Sequence, residues 1–174
     1  TGGGGLNAVQ GAAYSGARPV IAVDMLDNKL AAARTFGATH TINAARGDPI
    51  QAVKDLTSGR GADYVFVTVG SGAAIQQGFL MSGPRGTTVI VGLPPTKDSF
   101  TFTAFDFVRN ERVLTGSFMG STHLKVDVPR LIALYMEGRL KLDELITGRY
   151  PLDRINEAIE SVERGEALRN VIVF

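Results

Sequence analysis

The sequence predicts an α/β fold, a doubly wound parallel sheet with helices on both faces, and three observations predict it. Strand-like and helix-like stretches alternate from Leu6 to about Phe118, the pattern of βα units feeding a parallel sheet. Tyr64–Val69 and Thr88–Val91 are nearly continuous apolar runs, as expected of strands covered on both faces. The chain also opens with four consecutive glycines, Gly2–Gly5, followed at once by a helical pattern, an apolar run and an acid, Asp24.

Each element has its own warrant. Leu6, Val9 and Ala13 recur at helical spacing and Gly16 ends that helix. Pro19–Asp24 reads as a strand. Leu26, Leu30 and Ala33 mark a second helix that stops near Gly37, and Thr39–Asn43 reads as a short strand. Asp48-Pro49 is a helix start, an acidic N-cap with proline at the first helical position. Ile50, Val53 and Leu56 form its apolar stripe, and Gly59–Gly61 end it. The strand Tyr64–Val69, a helix from about Ala73 to Met81 and the strand Thr88–Val91 follow. Gly92-Leu93-Pro94-Pro95 closes that strand, Phe100–Phe107 is mixed, and Val113–Phe118 is the last strand of the series. The texture then changes. Val128, Leu131, Ile132 and Tyr135 make a longer amphipathic helix, Asp153 reads as the N-cap of another carrying Ile155, Ile159 and Val162, and Val171–Phe174 is strand-like. A boundary near Phe118 divides residues 1–118 from a C-terminal segment, 119–174.

Composition narrows the function classes. With 174 residues, 44% apolar and 20% charged, the chain is globular rather than disordered. A net charge of +1 gives no electrostatic case for nucleic acid or a membrane surface. No apolar run approaches a membrane span. There is no cysteine and only two histidines, His40 and His123. Disulfides and thiolate ligands are therefore absent from the sequence, a reducing, cytoplasmic setting is expected, and neither histidine is assigned a role.

The glycines and Asp24 carry the functional reading. Glycine leaves the backbone uncovered and free to reach φ > 0. A glycine turn at a helix N-terminus offers bare N–H groups and the positive end of the helix dipole to a phosphate. In dinucleotide sites an acid about 20 residues later binds the ribose hydroxyls, and Gly5 to Asp24 fits. Taken alone, Asp24 reads equally well as a plain surface acid or a cap for the helix that follows; a linker reading of the glycines is disfavoured, because linkers are not usually followed at once by helix, strand and acid. Met25 and Leu26 offer no cation for a 2′-phosphate, which favours NAD. The G-x-G-x-x-G pattern follows a strand, and counting back from Gly5 its first glycine falls before Thr1. The expectation is a chain that begins inside a motif and lacks the first strand of its sheet.

On Gly2–Gly5 with Leu6–Ala12, Ile21–Asp24 with Lys29, Phe36–Thr39, Gly61–Tyr64, Val89–Pro94, Gly116–Gly120, and the tail from Gly138 through Tyr150–Asp153 to Arg169, the whole chain resembles the C-terminal, NAD-binding half of a zinc-containing alcohol dehydrogenase. The type is class III-like, within the medium-chain dehydrogenase/reductase superfamily. The resemblance implies a Rossmann domain over 1–118 and a piece of the catalytic domain over 119–174. It implies that Gly2, Gly3 and Gly5 are the pyrophosphate-turn glycines, with Gly4 standing where the family has a small aliphatic residue. Asp24 and Lys29 would meet the adenosine ribose, and Thr68, Val69 and Gly70 the adenosine side. Val91 and Leu93 would line the nicotinamide side, the backbone of Ser117 and Met119 would hold the carboxamide, and Arg169 would reach the pyrophosphate. Zinc, the proton relay and most of the pocket for an alcohol or aldehyde are expected outside this chain, so no catalytic or metal residue is assigned within it and the chain alone is expected to be inactive. A homo-oligomer, with Val113–Phe118 pairing across a dimer, is implied for the longer protein. Two alternatives stay open: a zinc-independent quinone or enoyl reductase using NADPH, and a non-catalytic nucleotide-binding module or adenosyl-cofactor methyltransferase.

A sheet without its first strand poses a physical problem. In the order 3-2-1-4-5-6 that strand is central, so Val20–Val23 and Tyr64–Val69 would each present a bare edge. Four or five lost ladder bonds and as many unburied side chains sum to about 10 kcal/mol, comparable to a domain's whole stability. Distortion, a second chain, or the tail Val171–Phe174 is expected to compensate.

Overall fold

The computed structural model describes residues 2–174. Two compact units are present: the described residues through Ala45 together with His123–Phe174, and Arg46–Thr122. The strands are paired in parallel throughout, in the α/β architecture the alternation predicts.

The first unit opens on helix α1 (Gly3–Tyr14), followed by strand β1 (Ile21–Asp24), helix α2 (Asp27–Thr35) and strand β2 (His40–Asn43). β1 and β2 pair from Ile21↔His40 to Asp24↔Asn43. Leu6 and Val9 of α1 meet Val20 and Ala22 of the β1 segment and Ala33 and Phe36 of the α2 segment in one core. Gly37 makes that approach possible. It ends α2 at φ 105°, and a Cβ there would lie 2.6 Å from the Ala13 Cβ, so only glycine serves. Leu145 joins the same core, and Gln10, 7% exposed, both donates to the Lys141 carbonyl at 3.0 Å and accepts from the Lys141 N–H at 2.9 Å. Helix α6 (Leu124–Met136), strand β6 (Ile146–Pro151), helix α7 (Ile155–Glu163) and strand β7 (Arg169–Val173) complete the unit.

The second unit holds helix α3 (Pro49–Leu56), strand β3 (Ala62–Val67), helix α4 (Gly72–Met81), strand β4 (Ser82–Ile90), helix α5 (Ala104–Arg109) and strand β5 (Val113–Gly116). As the Asp48-Pro49 pair predicts, the Asp48 carboxylate accepts the Ile50 N–H at 2.9 Å. The sheet order is β3-β4-β5. Phe79, 1% exposed, anchors its interior, with ring centroids 5.1 Å from Phe102 and 5.9 Å from Phe107. Arg112 lies over the Phe79 ring at 5.0 Å while pairing with Asp106 at 3.0 Å.

Several expectations need correction. α1 starts inside the glycines rather than at Leu6, because a first helical turn takes its bonds from residues downstream and needs no side chains of its own. β3 is not covered on both faces: Tyr64 is 68% and Phe66 47% exposed. Among the described residues β3 pairs only with β4, and β1 only with β2, so each keeps the unpaired edge anticipated for it. The tail does not relieve either edge, since β7 pairs with β6, a strand the sequence reading missed. Asp153 lies in a 3₁₀ turn, Leu152–Arg154, and Arg154 holds the N-cap position of α7. Among the described residues no helix is long and apolar enough to cross a membrane.

Candidate functional site

The predicted cofactor residues fall into two groups, one in each unit. In the first, Gly3–Gly5 form the opening turn of α1, closed by the Leu6 N–H on the Gly2 carbonyl at 2.9 Å. The first amides of a helix have no acceptor within it. Among the described residues no side chain caps the turn and no acid lies in it. A Cβ added at Gly2 or Gly4 would meet nothing within 4 Å, so that face of the turn is open. Gly3 differs: its Cβ would stand 3.2 Å from the Leu168 carbonyl and 3.5 Å from Arg169 Nη2. The absent side chain thus lets the start of β7 lie against the turn and sets the Arg169 guanidinium beside it. Arg169 is exposed and has no ion-pair partner among the described residues. A cation beside a helix N-terminus has the same sign as the dipole end it faces, an arrangement an anion would relieve.

Asp24 ends β1, half-buried, and its Oδ1 accepts the Leu26 N–H at 3.0 Å. Both sequence readings of this acid are therefore compatible with its position, since it caps the turn into α2 from the strand's C-terminal end. Lys29 is 6% exposed and its ammonium donates to the Ala167 carbonyl. Burial holds its pKa below the usual lysine value, and the Asp24 charge pulls partly the other way. Asn28 adds a bond to the Gly165 carbonyl at 3.1 Å. The N-terminal turn of α2 therefore fixes the stretch 165–167, which leads directly into Leu168 and Arg169. The resemblance assigns Lys29 to the ribose; in the structure its bond is to the segment that carries Arg169.

The second group gathers at the C-terminal ends of three parallel strands: Thr68–Gly70 after β3, Val91 and Leu93 after β4, and Ser117 and Met119 after β5. The Val91 and Gly92 amides donate to the Val67 carbonyl at 2.9 and 3.0 Å, and Ser117 N–H donates to the Ile90 carbonyl at 2.8 Å. The loops after β3 and β4 lie in backbone contact, for a Cβ at Gly70 would fall 2.1 Å from the Leu93 carbonyl oxygen and one at Gly92 2.4 Å from the Val69 carbonyl carbon. Leu93 is 81% exposed. Met119 and Ser121 take φ 50° and 52° with Gly120 between them at 72°, strain of the kind that collects at ligand clamps. Open sheets of this kind bind ligands outside the carboxyl ends of their strands.

Sequence reasoning missed the Ala167 and Leu168 carbonyls, for which a sequence holds no signal. It also missed Asp98, whose carboxylate accepts the Gly72 N–H at 2.6 Å; the aspartate beside a Gly/Pro-rich stretch is the trace it left. Among the described residues no group of three or more His, Asp or Glu side chains is placed to hold a metal ion, so they do not fit zinc. A cavity of about 350 Å³ beside Tyr135, Lys141 and Asp143 and one of about 230 Å³ beside Tyr14 and Arg139 contain none of the predicted residues. The candidate residues lie instead on open surface, at the first turn of α1 in one unit and at the strand ends of β3, β4 and β5 in the other.

Parallel strands, a glycine-opened helix ahead of a strand-terminal acid, and glycine-tight strand ends are those of a Rossmann-like α/β fold. The chain belongs to the zinc-binding dehydrogenase family, whose model matches residues 3–137. It is 39% identical to the NDMA-dependent alcohol dehydrogenase of Amycolatopsis methanolica over 99% of this chain and 47% of that protein. The benzyl alcohol dehydrogenase of Acinetobacter calcoaceticus superposes with a TM-score of 0.94 at 32% identity, covering 98% of this chain and 47% of the other. A zinc-binding dehydrogenase of Sinorhizobium meliloti, solved bound to NADP, superposes with a TM-score of 0.80 at 28% identity over 88% of this chain and 44% of the other. The chain spans about half the length of the curated relatives it matches, corresponding to the C-terminal half of a zinc-type medium-chain alcohol dehydrogenase.

Proposed function

We propose that this chain is the NAD-binding portion of a zinc-dependent alcohol dehydrogenase that passes hydride between an alcohol or aldehyde and NAD(H). The observation that carries the reading is the uncapped, side-chain-free turn of α1 with the Arg169 guanidinium beside Gly3. Two sources of positive potential converge there, as a pyrophosphate requires. Gly2, Gly3, Gly5 and Arg169 would hold that group. Asp24 would take the ribose hydroxyls, aided by the charge of Lys29. Thr68, Val69 and Gly70 would border the adenosine side, Val91 and Leu93 the nicotinamide side, and the backbone of Ser117 and Met119 the carboxamide. Bound NAD supplies a hydride acceptor; the residues of this chain bind and orient it.

In the longer protein we assign residues 1–118 to the nucleotide-binding domain and 119–174 to the catalytic domain, which would also supply zinc, the proton relay and the alcohol pocket. β5 pairs only with β4 among the described residues, which supports the homo-oligomer expected through that edge, in the cytoplasm. The second reading is a zinc-independent quinone or enoyl reductase of the same superfamily using NADPH, favoured by the NADP-bound neighbour. Asp24 argues against it, because its carboxylate would repel a 2′-phosphate.

Titrating the chain with NADH and NADPH tests the reading. NADH is expected to bind at least about tenfold more tightly, one charge-assisted contact's worth. Asp24→Asn should weaken NADH and narrow the preference. The chain alone should turn over no alcohol. The absence of saturable binding by either nucleotide would overturn the proposal.

A further inference from the structure

The loops after β3 and β4 are joined by more than the sheet. Along one side run Val69, Gly70, Ser71 and Gly72, the last opening α4; along the other run Gly92, Leu93 and the stretch to Ser99. Glycines set the contact at three points. A Cβ at Gly92 would strike the Val69 carbonyl carbon at 2.4 Å, one at Gly70 the Leu93 carbonyl oxygen at 2.1 Å, and one at Gly72 the Ser99 carbonyl at 2.5 Å. At the far end sits a carboxylate, beside Lys97 in the sequence. Asp98 Oδ2 accepts the Gly72 N–H at 2.6 Å, Oδ1 accepts the Ser99 N–H at 3.0 Å, and the Asp98 N–H closes a turn on the Pro95 carbonyl at 2.9 Å. The carboxylate therefore occupies the positive end of the α4 dipole, where an anion is stabilised, but it arrives from a loop 26 positions downstream. Ser71, the residue that caps α4 locally, contributes only a 3.5 Å contact from its hydroxyl to the Ala74 N–H.

We propose that Asp98 is a positioning residue for the cofactor: by latching residues 93–99 to the N-terminus of α4 it holds Leu93 at the strand ends in the attitude that receives the nicotinamide ring. The assignment rests on the cofactor reading above. It goes beyond that reading by making nicotinamide capture depend on a carboxylate that itself touches no cofactor. Leu93 stands 81% exposed, so its own side chain has little packing to keep it in place. The backbone contacts at Gly70 and Gly92 fix one end of the segment, and the carboxylate fixes the other.

The test compares NADH with ADP-ribose, which has the pyrophosphate and ribose contacts but no nicotinamide. Both are titrated against the chain, Asp98→Ala, Asp98→Asn and a control in the same turn, Thr96→Ala. Asp98→Ala is expected to raise the NADH Kd about tenfold, the scale of one charge-assisted hydrogen bond, and to leave ADP-ribose within about twofold. Asp98→Asn recovers part of the loss, because its amide oxygen still accepts the Gly72 N–H, and Thr96→Ala matches the parent. Amide exchange without ligand should show Gly72 and residues 93–99 exchanging faster in Asp98→Ala. The proposal is overturned if Asp98→Ala binds NADH as the parent does, if ADP-ribose weakens as much as NADH, or if exchange at Gly72 is unchanged. If the parent binds neither ligand, the cofactor reading and the nicotinamide role fall together, while exchange at Gly72 still decides the latch.

Discussion

Replacing Lys29 with methionine isolates what its charge does. The side chain keeps most of its apolar stem and loses the terminal nitrogen, at a site only 6% exposed. What disappears is the ammonium on the Ala167 carbonyl. A hydrogen bond to a charged group contributes about 1.5–3 kcal/mol, and a buried carbonyl stripped of its donor costs about 1–3 kcal/mol. Against this, the variant no longer buries a charge, the term that lowers the lysine pKa in the first place. The net expectation is a loss of about 1–2 kcal/mol in urea unfolding, with unchanged slope. The pH dependence supplies a second signature. Because the folded pKa lies below the ordinary lysine value, the unfolded chain holds the proton more firmly in the window between the two. Stability contributed through Lys29 therefore rises with pH across that window. The methionine variant lacks this rise, so its deficit should widen on the alkaline side and be smallest below it. Under the proposed function, freeing residues 165–169 should also weaken NADH about tenfold. A variant as stable as the parent at every pH, or one whose deficit narrows as pH climbs across that window, would refute the reasoning.

Other expectations follow from the same geometry. Arg169→Gln should change thermal stability by less than about 0.5 kcal/mol, since the side chain is exposed and unpaired among the described residues, yet weaken NADH severalfold and flatten the salt dependence of binding. Gly4→Ala, whose methyl would meet nothing within 4 Å, should stabilise α1 by about 0.5–1 kcal/mol. Gly3→Ala, with its methyl 3.2 Å from the Leu168 carbonyl, should gain less stability and lose NADH affinity, so melting and titration of the pair separate helix propensity from site geometry. Thr88 is fully buried in β4 with an Oγ1 that has no hydrogen-bond partner among the described residues, so Thr88→Val should raise stability by about 1 kcal/mol or more in denaturant titration.

What was legible in the sequence was what the backbone must do locally. Asp48-Pro49 announced its helix because cap and proline act on neighbouring residues. The β1–β2 unit was readable because its apolar spacing and Gly37 are enforced by contacts within a few turns. β6 was not legible: Ile146–Pro151 carries a glycine, an arginine and a proline, and only its pairing with β7 makes it a strand. The exposure of Tyr64 and Phe66 follows from the missing-strand argument and not from the apolar run, because such a run reports what a side chain prefers and not whether a neighbour exists to cover it. The extent of β4 eluded the reading because Ser82–Arg85 has no strand-like composition and is recruited by pairing at Ala62↔Ser82.

The site divides along the same line. Gly2–Gly5 and Asp24 stood out because bare amides and a strand-terminal acid are properties of residues at fixed short spacing. The partnership of Gly3 with Arg169 spans nearly the whole chain, and spacing carries no information across such a distance; only the family resemblance pointed to it. Once the two are together, their signs constrain the chemistry. A guanidinium placed at the wrong end of a helix dipole costs up to about 1 kcal/mol at the surface, and no carboxylate among the described residues offsets it. The fold nevertheless holds it there through β7, anchored by a lysine that is itself partly desolvated to reach the Ala167 carbonyl. Two like-signed features kept together at an energetic cost make physical sense when a ligand of opposite charge completes the arrangement. A diphosphate is a ligand of that opposite charge.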